Sequence, residues 1–168
     1  MAFYIKNSRR SKAGLAPILS LKTIAGLRNK LGRVALAGGV FDIIHGGHIQ
    51  HLRKAKSICD NLIIHITGDK RVRKKKGKRR PLRSERDRAL TVAAIRFVDY
   101  VFIYNGRHYD QKIINAIKPD ILFFNREAWS QGVRDKVGAL KNFKGGVLVD
   151  RQRKVNSSSR LIVKLLRL

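Results

Sequence analysis

Residues 34–51, V-A-L-A-G-G-V-F-D-I-I-H-G-G-H-I-Q-H, leave this chain few folds to choose from. The run Val34 to Ala37 is apolar and short, the pattern of a buried strand. Gly38 and Gly39 follow, then the turn Val40-Phe41-Asp42, then His45-Gly46-Gly47-His48. From there the apolar spacing becomes helical, with Ile49, Leu52, Ala55 and Cys59 on one stripe. A strand that ends in glycines and feeds a helix builds a phosphate site. Glycine lets the backbone approach the anion. The first helical turn aims N–H groups at it, and the helix dipole favours negative charge there. Two histidines bracket that helix start, so both imidazoles can reach one phosphate.

A chain of 168 residues fits one domain, residues 1–168, in which residues 1–16 form a basic tail carrying Arg9, Arg10 and Lys12. No apolar run nears the roughly 20 residues that span a bilayer. One cysteine, Cys59, excludes an internal disulfide, and with no secretory signal the expected setting is a reducing cytoplasm. The formal net charge is +27, from 38 basic and 11 acidic residues. Such a balance predicts salt-sensitive adhesion to polyanions. It reads either as the habit of a basic proteome or as RNA binding, and the charge is spread over the whole chain.

Five β segments alternate with helices, which argues an α/β, Rossmann-like, doubly wound sheet of about five parallel strands with helices on both faces. Residues 20–31 read as a helix with Ser20 as N-cap and Gly32 as its stop. Residues 46–59 form the helix after the histidine turn. Residues 61–66 are a second buried strand, with His65 inside it as a satisfied or edge histidine, and Thr67-Gly68-Asp69 at its carboxyl end. Residues 70–83, K-R-V-R-K-K-K-G-K-R-R-P-L-R, are too polar for a core and carry Gly77 and Pro81 as breakers, and in isolation they read as a nuclear-localisation or nucleic-acid patch. Residues 84–98 form a helix with Ser84 as N-cap, followed by strand 100–104. Helix 110–118, strand 121–124, helix 133–143 and strand 147–149 complete the count. His51 reads as a surface residue and Cys59 as a small buried hydrophobe. Trp129 reads as a packing aromatic or a ligand-stacking one.

The motif His45-Gly46-Gly47-His48, preceded by Gly39-Val40-Phe41-Asp42, resembles the H-x-G-H signature of the cytidylyltransferase-like nucleotidyltransferases. The resemblance runs from about residue 17 to about residue 165. Lys76-Gly77 with Arg80-Pro81 is similar to the family's K-G-x-x-P loop, and the resemblance implies a mobile loop over residues 70–83. E-x-D-R-A at residues 85–89 and Lys118-Pro119-Asp120 match further stretches. Val155-Asn156-Ser157-Ser158-Ser159-Arg160 resembles the family's second signature, a serine turn opening a helix, with Val155 and Asn156 departing from it. The lead-in helix and the K-P-D strand entry look most like the sugar-phosphate (heptose-1-phosphate) adenylyltransferase branch. After that strand the branch has a glycine pair and an acidic residue, where this chain has Asn125-Arg126-Glu127-Ala128-Trp129.

The resemblance implies transfer of a nucleoside monophosphate from ATP or CTP to a phosphorylated small acceptor, with pyrophosphate leaving. His45 and His48 would stabilise the α-phosphate. Lys76, with Lys74 and Lys75 as register alternatives, and Arg88 would reach the triphosphate. Gly39, Val40, Phe41, Asp42 and Gly47 would border the nucleotide, with Asp42 also fixing the turn. Lys56 matches the family's A-K pair, and Ser157, Ser158, Ser159 and Arg160 would hold phosphate oxygens. Mg²⁺ would be bound through the nucleotide. A homodimer and a cytoplasmic enzyme are implied as well. Glycerol-3-phosphate or ethanolamine-phosphate cytidylyltransferase and an FAD synthase are close alternatives. A catalytically inactive, basic RNA- or ribonucleoprotein-binding domain, contacting nucleic acid through residues 70–83, is the alternative of another class.

Overall fold

A computed structural model describes residues 14–151. These residues build one sheet of five parallel strands: β1 (Val34–Gly39), β2 (Asn61–Thr67), β3 (Tyr100–Tyr104), β4 (Ile121–Asn125) and β5 (Gly146–Asp150). Their spatial order is β3-β2-β1-β4-β5. The chain winds outward from β1 to β3, then returns to the other side of β1 for β4 and β5. That reversal places a crevice between β1 and β4, beyond their carboxyl ends, where open α/β sheets hold ligands.

The strands are apolar on both faces because both faces are covered. On one face, Ala35, Ala37, Leu62, Ile64 and Ile66 pack against Leu52 and Ala55 of α2 (Gly46–Lys56) and Ala89, Val92 and Ala93 of α4 (Glu85–Ala93). On the other, Val34, Leu36, Ile63, Phe102, Leu122 and Phe124 meet α1 (Leu21–Leu27), α5 (Gln111–Ile117) and α6 (Gln131–Gly138) through Ile24, Ile113, Ile117 and Val137. The doubly wound arrangement expected from the alternation of elements is therefore present. No helix of the described residues is long and apolar enough to cross a membrane.

Several elements are shorter than their sequence patterns suggest. The helix expected over residues 20–31 is α1, capped by Ser20 Oγ accepting from the Thr23 amide at 3.0 Å, and then a tight turn, Arg28–Lys30. The helix expected over residues 84–98 ends at Ala93, and that expected over 133–143 occupies Gln131–Gly138. The larger correction concerns residues 70–83. The stretch is not a loop throughout: Asp69–Lys76 is a helix, α3. Asp69 sits at its positive end and Arg73, Lys74, Lys75 and Lys76 in its last turn, the distribution that the helix dipole favours. Val72, 1% exposed, docks it on the body, and Gly77, at φ 90°, ends it.

Candidate active site

The histidine pair stands at the amino end of α2. His45 is the N-cap residue, in extended conformation (φ −145°, ψ 168°), and its own side chain makes no cap hydrogen bond to the first turn. The His48 amide donates to the His45 carbonyl at 2.8 Å. This turn folds the two rings together, with centroids 3.9 Å apart and planes tilted by 38°. Phe41 supports the pair from behind, its ring 5.3 Å from that of His48. Phe41 itself takes a left-handed backbone, φ 53°. Its ring lies over Gly39, where an added Cβ would come within 2.9 Å of it. At Gly47 a Cβ would stand 3.1 Å from the His45 ring. Gly39 and Gly47 are thus small so that two rings can occupy the space above them. Sequence expectation and geometry agree that residues 39–48 form one unit at the carboxyl end of the central strand.

The basic flap joins this unit through a contact with no local sequence signal. Asp42 is buried, and its carboxylate accepts from the Leu82 amide at 2.9 Å and the Arg83 amide at 3.2 Å. Arg80 Nη2 lies 2.9 Å from the same group. Asp42 therefore fixes more than its own turn: it latches loop 77–83 beside the histidine turn. Lys76 is exposed at the last position of α3, just before that loop. Removing the latch should loosen the loop. Asp42→Ala leaves two amides and a guanidinium without their acceptor, a loss of roughly 1–3 kcal/mol locally. Trypsin should then cut after Lys76 or Lys78 about tenfold faster under native conditions. An unchanged cleavage rate would mean that the loop is held by something else.

Arg88 does not stand at a phosphate. It is fully buried, and its guanidinium is committed to the protein. Nε donates to the Arg83 carbonyl at 3.1 Å, Nη1 to the Val40 carbonyl, and Nη2 to the Thr67 carbonyl at 2.8 Å and Asp69 Oδ1 at 2.7 Å. This single side chain ties the end of β1, the end of β2, the start of α3 and the flap together. A rigid planar fork is the side chain suited to such divergent acceptors. Its contribution to the site is positional, and the expectation of a phosphate contact is corrected accordingly.

Lys56 is likewise not brought to the histidines. It closes α2 eight residues beyond His48, roughly 12 Å along the helix axis. There it donates to the Asp60 carbonyl at 2.7 Å and pairs with Asp99 at 2.6 Å. His51 is no surface residue: its Nδ1 lies 3.2 Å from Asp150, 4% exposed, which Lys54 also contacts at 2.9 Å. That pairing holds the end of β5 against α2. Cys59 is partly buried, and burial pushes its thiol up to about 11, which keeps it protonated and unreactive. Trp129 packs on Phe124 with ring centroids 4.8 Å apart, so the packing role is met. With Arg126, Arg134, Val149 and Arg151 it also lines a cavity of about 610 Å³ at the carboxyl ends of β4 and β5. Ser157, Ser158, Ser159 and Arg160 lie outside the described residues.

Two buried histidines beside the site were not singled out as a pair by sequence. His65 and His108 lie against Gly38, where a Cβ would come within 2.8 Å of Nδ1 of each ring. His65 Nε2 bonds the Tyr104 carbonyl at 3.0 Å. Burial pushes the His65 imidazole down to about 4, with the Tyr104 carbonyl opposing, and the His108 imidazole down to about 3. Both are neutral when folded near pH 7. Below the ordinary value of 6.5 the unfolded chain takes up protons that the folded chain refuses, so stability falls with falling pH. Their contribution is full above pH 6.5. Between about pH 5.5 and pH 4.5 it should be lost at up to about 3 kcal/mol per pH unit, since two protons are involved, and the slope should ease as His65 takes up its proton near pH 4. Urea midpoints measured from pH 7.5 downward check this, and a His65→Gln, His108→Gln variant should show a much flatter acid limb. An equally steep limb in that variant would assign the acid sensitivity elsewhere.

Comparison with known proteins gives the family and the fold. The cytidylyltransferase-like family model matches residues 36–164. A bifunctional protein HldE of Helicobacter pylori is 39% identical over 101 residues, 60% of this chain and 22% of that protein. One of Campylobacter fetus is 36% identical over 119 residues, 70% of this chain and 26% of that protein. The chain thus spans about a quarter or less of these curated relatives. Among solved structures, a lipopolysaccharide core biosynthesis protein of Thermoplasma volcanium matches with TM-score 0.56 and 26% identity, covering 73% of this chain and 99% of that one. A pantoate-beta-alanine ligase of Francisella tularensis shares the fold, with TM-score 0.61 at 15% identity over 92% of this chain and 79% of its own.

Proposed function

This chain belongs to the cytidylyltransferase-like family, and from that premise we propose that it is a nucleotidyltransferase that moves a nucleoside monophosphate from ATP or CTP onto a phosphorylated small acceptor. A sugar or polyol phosphate, with heptose 1-phosphate first among them, is the acceptor class that the sequence resemblance favours. The observation that carries this reading is the stacked His45–His48 pair at the start of α2, beside the sheet's switch point.

In the proposed reaction an oxygen of the acceptor phosphate attacks the α-phosphorus of the nucleoside triphosphate. The bond from the α-phosphorus to the bridging oxygen breaks, and pyrophosphate leaves with that electron pair. A phosphate dianion needs no base to act as nucleophile, and no catalytic serine or cysteine is required. Such a step depends mainly on in-line positioning and charge neutralisation. His45 and His48 supply N–H donors to the α-phosphate oxygens as charge builds there, and the first turn of α2 adds backbone amides. Lys76, carried at the edge of the latched flap, meets the leaving pyrophosphate. Ser157, Ser158, Ser159 and Arg160 are assigned to phosphate oxygens by the sequence resemblance alone.

Mg²⁺ belongs to this reading as the triphosphate's companion. The carboxylates bordering the site are already engaged, Asp42 by Arg80 and Asp69 by Arg88. Among the described residues no group of three or more histidine, cysteine, aspartate or glutamate side chains could hold a metal. The fit is therefore to an ion held by phosphate oxygens, not to one in a protein cage. Mg²⁺ would offset triphosphate charge there, and no step above is assigned to it. Homodimerisation and a cytoplasmic location accompany the same reading.

The test is pyrophosphate release with ATP or CTP across sugar 1-phosphates, glycerol 3-phosphate, phosphoethanolamine and FMN. One nucleotide–acceptor pair should stand well above the rest. FMN or glycerol 3-phosphate as the preferred acceptor would keep the mechanism and replace the sugar-phosphate assignment. No pyrophosphate with any pair would remove the enzymatic reading.

A further inference from the structure

The carboxylates of this protein are almost all spent on its own fold. All 11 acidic residues fall between Asp42 and Asp150, within the described part of the chain. Seven of them, Asp42, Asp69, Asp87, Asp99, Asp110, Asp120 and Asp150, are in ion pairs with basic side chains. Positive charge runs through the whole chain, and among the described residues it is dense on one element. In α3 and the loop that follows, Lys70, Arg73, Lys74, Lys75, Lys78 and Arg79 are exposed, and no described carboxylate pairs with any of them.

The orientation of α3 separates Lys70, Arg73 and Lys74 from the proposed triphosphate site. Val72 points into the body and Asp69, on the same side, binds Arg88. At 100° per residue, Lys70 and Lys74 stand about 160° and 200° around the helix from Val72, on the outward side. Arg73 flanks them. Lys70 and Lys74 are also like charges at i,i+4, which costs helix stability. An eight-residue helix has little stability of its own to offset that. A row of outward cations that weakens its own helix is the arrangement that a bound polyanion stabilises.

We propose that the outer face of α3 with the start of the following loop is a docking surface for the phosphate backbone of a nucleic acid. Nucleic acid fits better than a membrane because the only apolar residue of α3, Val72, is turned inward, leaving no apolar face to enter a bilayer. The contact is electrostatic and indifferent to sequence, since α3 carries no aromatic side chain to stack on bases. It is independent of the proposed catalytic reaction.

The test separates this surface from the general basicity of the chain. Binding of a fluorescent 20-nucleotide single-stranded RNA is measured by anisotropy from 50 to 300 mM KCl. One variant carries Lys70→Gln, Arg73→Gln, Lys74→Gln and Lys78→Gln. A control variant loses the same charge elsewhere, through Lys112→Gln, Lys136→Gln, Lys141→Gln and Lys144→Gln. The α3 variant should bind at least tenfold more weakly at 100 mM salt. Its slope of log K against log salt should shrink by about 3, at roughly 0.7 per neutralised contact. The control should keep close to the parent slope. If the quadruple α3 change fails to fold, Lys70→Gln with Lys74→Gln alone should remove about half as much. Equal losses in the two quadruple variants would overturn the proposal, as would no binding at 100 mM salt. Tighter, α3-dependent binding to phosphatidylserine vesicles than to RNA would replace nucleic acid by a membrane and overturn it as well.

Discussion

Replacing His48 with alanine should lower kcat at least about 100-fold for whichever nucleotide–acceptor pair the enzyme uses. Removing one preorganised donor from a transition-state oxyanion typically costs two to three orders of magnitude. His48 is placed for that role by the first turn of α2, with its ring against His45 and Phe41. The effect should fall on kcat and kcat/KM alike, because the interaction grows as charge builds on the phosphate. Stability should change little, since His48 is only half-buried. His45→Ala should act in the same direction, and the double variant should lose less than the product of the two, since the rings serve one phosphate. Turnover near that of the parent in His48→Ala would take the imidazole out of the mechanism.

Replacing Arg88 with alanine should act on the fold, and by a large amount. The side chain is fully buried and satisfies the Val40, Thr67 and Arg83 carbonyls together with the Asp69 carboxylate. Its removal strands all four acceptors in a space that water fills poorly. Breaking a buried, hydrogen-bonded ion pair from one side costs about 3–5 kcal/mol. For a chain of this size that is a fall in Tm on the order of 10 °C. Arg88→Lys should recover only part of this, because an ammonium can meet Asp69 but cannot span three carbonyls as well. Thermal and urea unfolding of both variants measure the effect. A loss below about 1 kcal/mol in Arg88→Ala would show that the strand ends hold their positions without it.

These two residues mark the line between what sequence discloses and what it does not. The histidine turn is a local arrangement: strand, glycines, histidines and helix are contiguous, and each constrains its neighbour. The sheet followed from the alternation of apolar runs and helices, because two covered faces demand apolar strands. Arg88 shared a motif with phosphate-binding arginines, yet it lies on the same helix face as Val92 and beside Ala89, which pointed inward. The family resemblance implies a phosphate contact, whereas the position of Arg88 on the inward face commits it to the fold. The Asp42 latch on Arg80, and Asp150 with His51 and Lys54, join residues 38 and about 100 positions apart. No periodicity within either segment encodes such pairings. The helix of residues 69–76 was hidden for another reason. Its sequence is nearly all cationic, and the burial of Val72 and the bonding of Asp69 to Arg88 supply what helical periodicity did not show.

The central claim is that the reaction takes place at the α-phosphorus, beside His45 and His48. Phosphorus-31 NMR of the protein with Mg²⁺, nucleoside triphosphate and the phosphorylated acceptor tests it directly. Expected is a pair of coupled resonances from a new nucleoside-diphosphate-linked product, growing in step with pyrophosphate and at least about 100-fold more slowly with His48→Ala. Nucleoside diphosphate appearing with phosphate transferred or released would place the attack at the γ-phosphorus, and would contradict it.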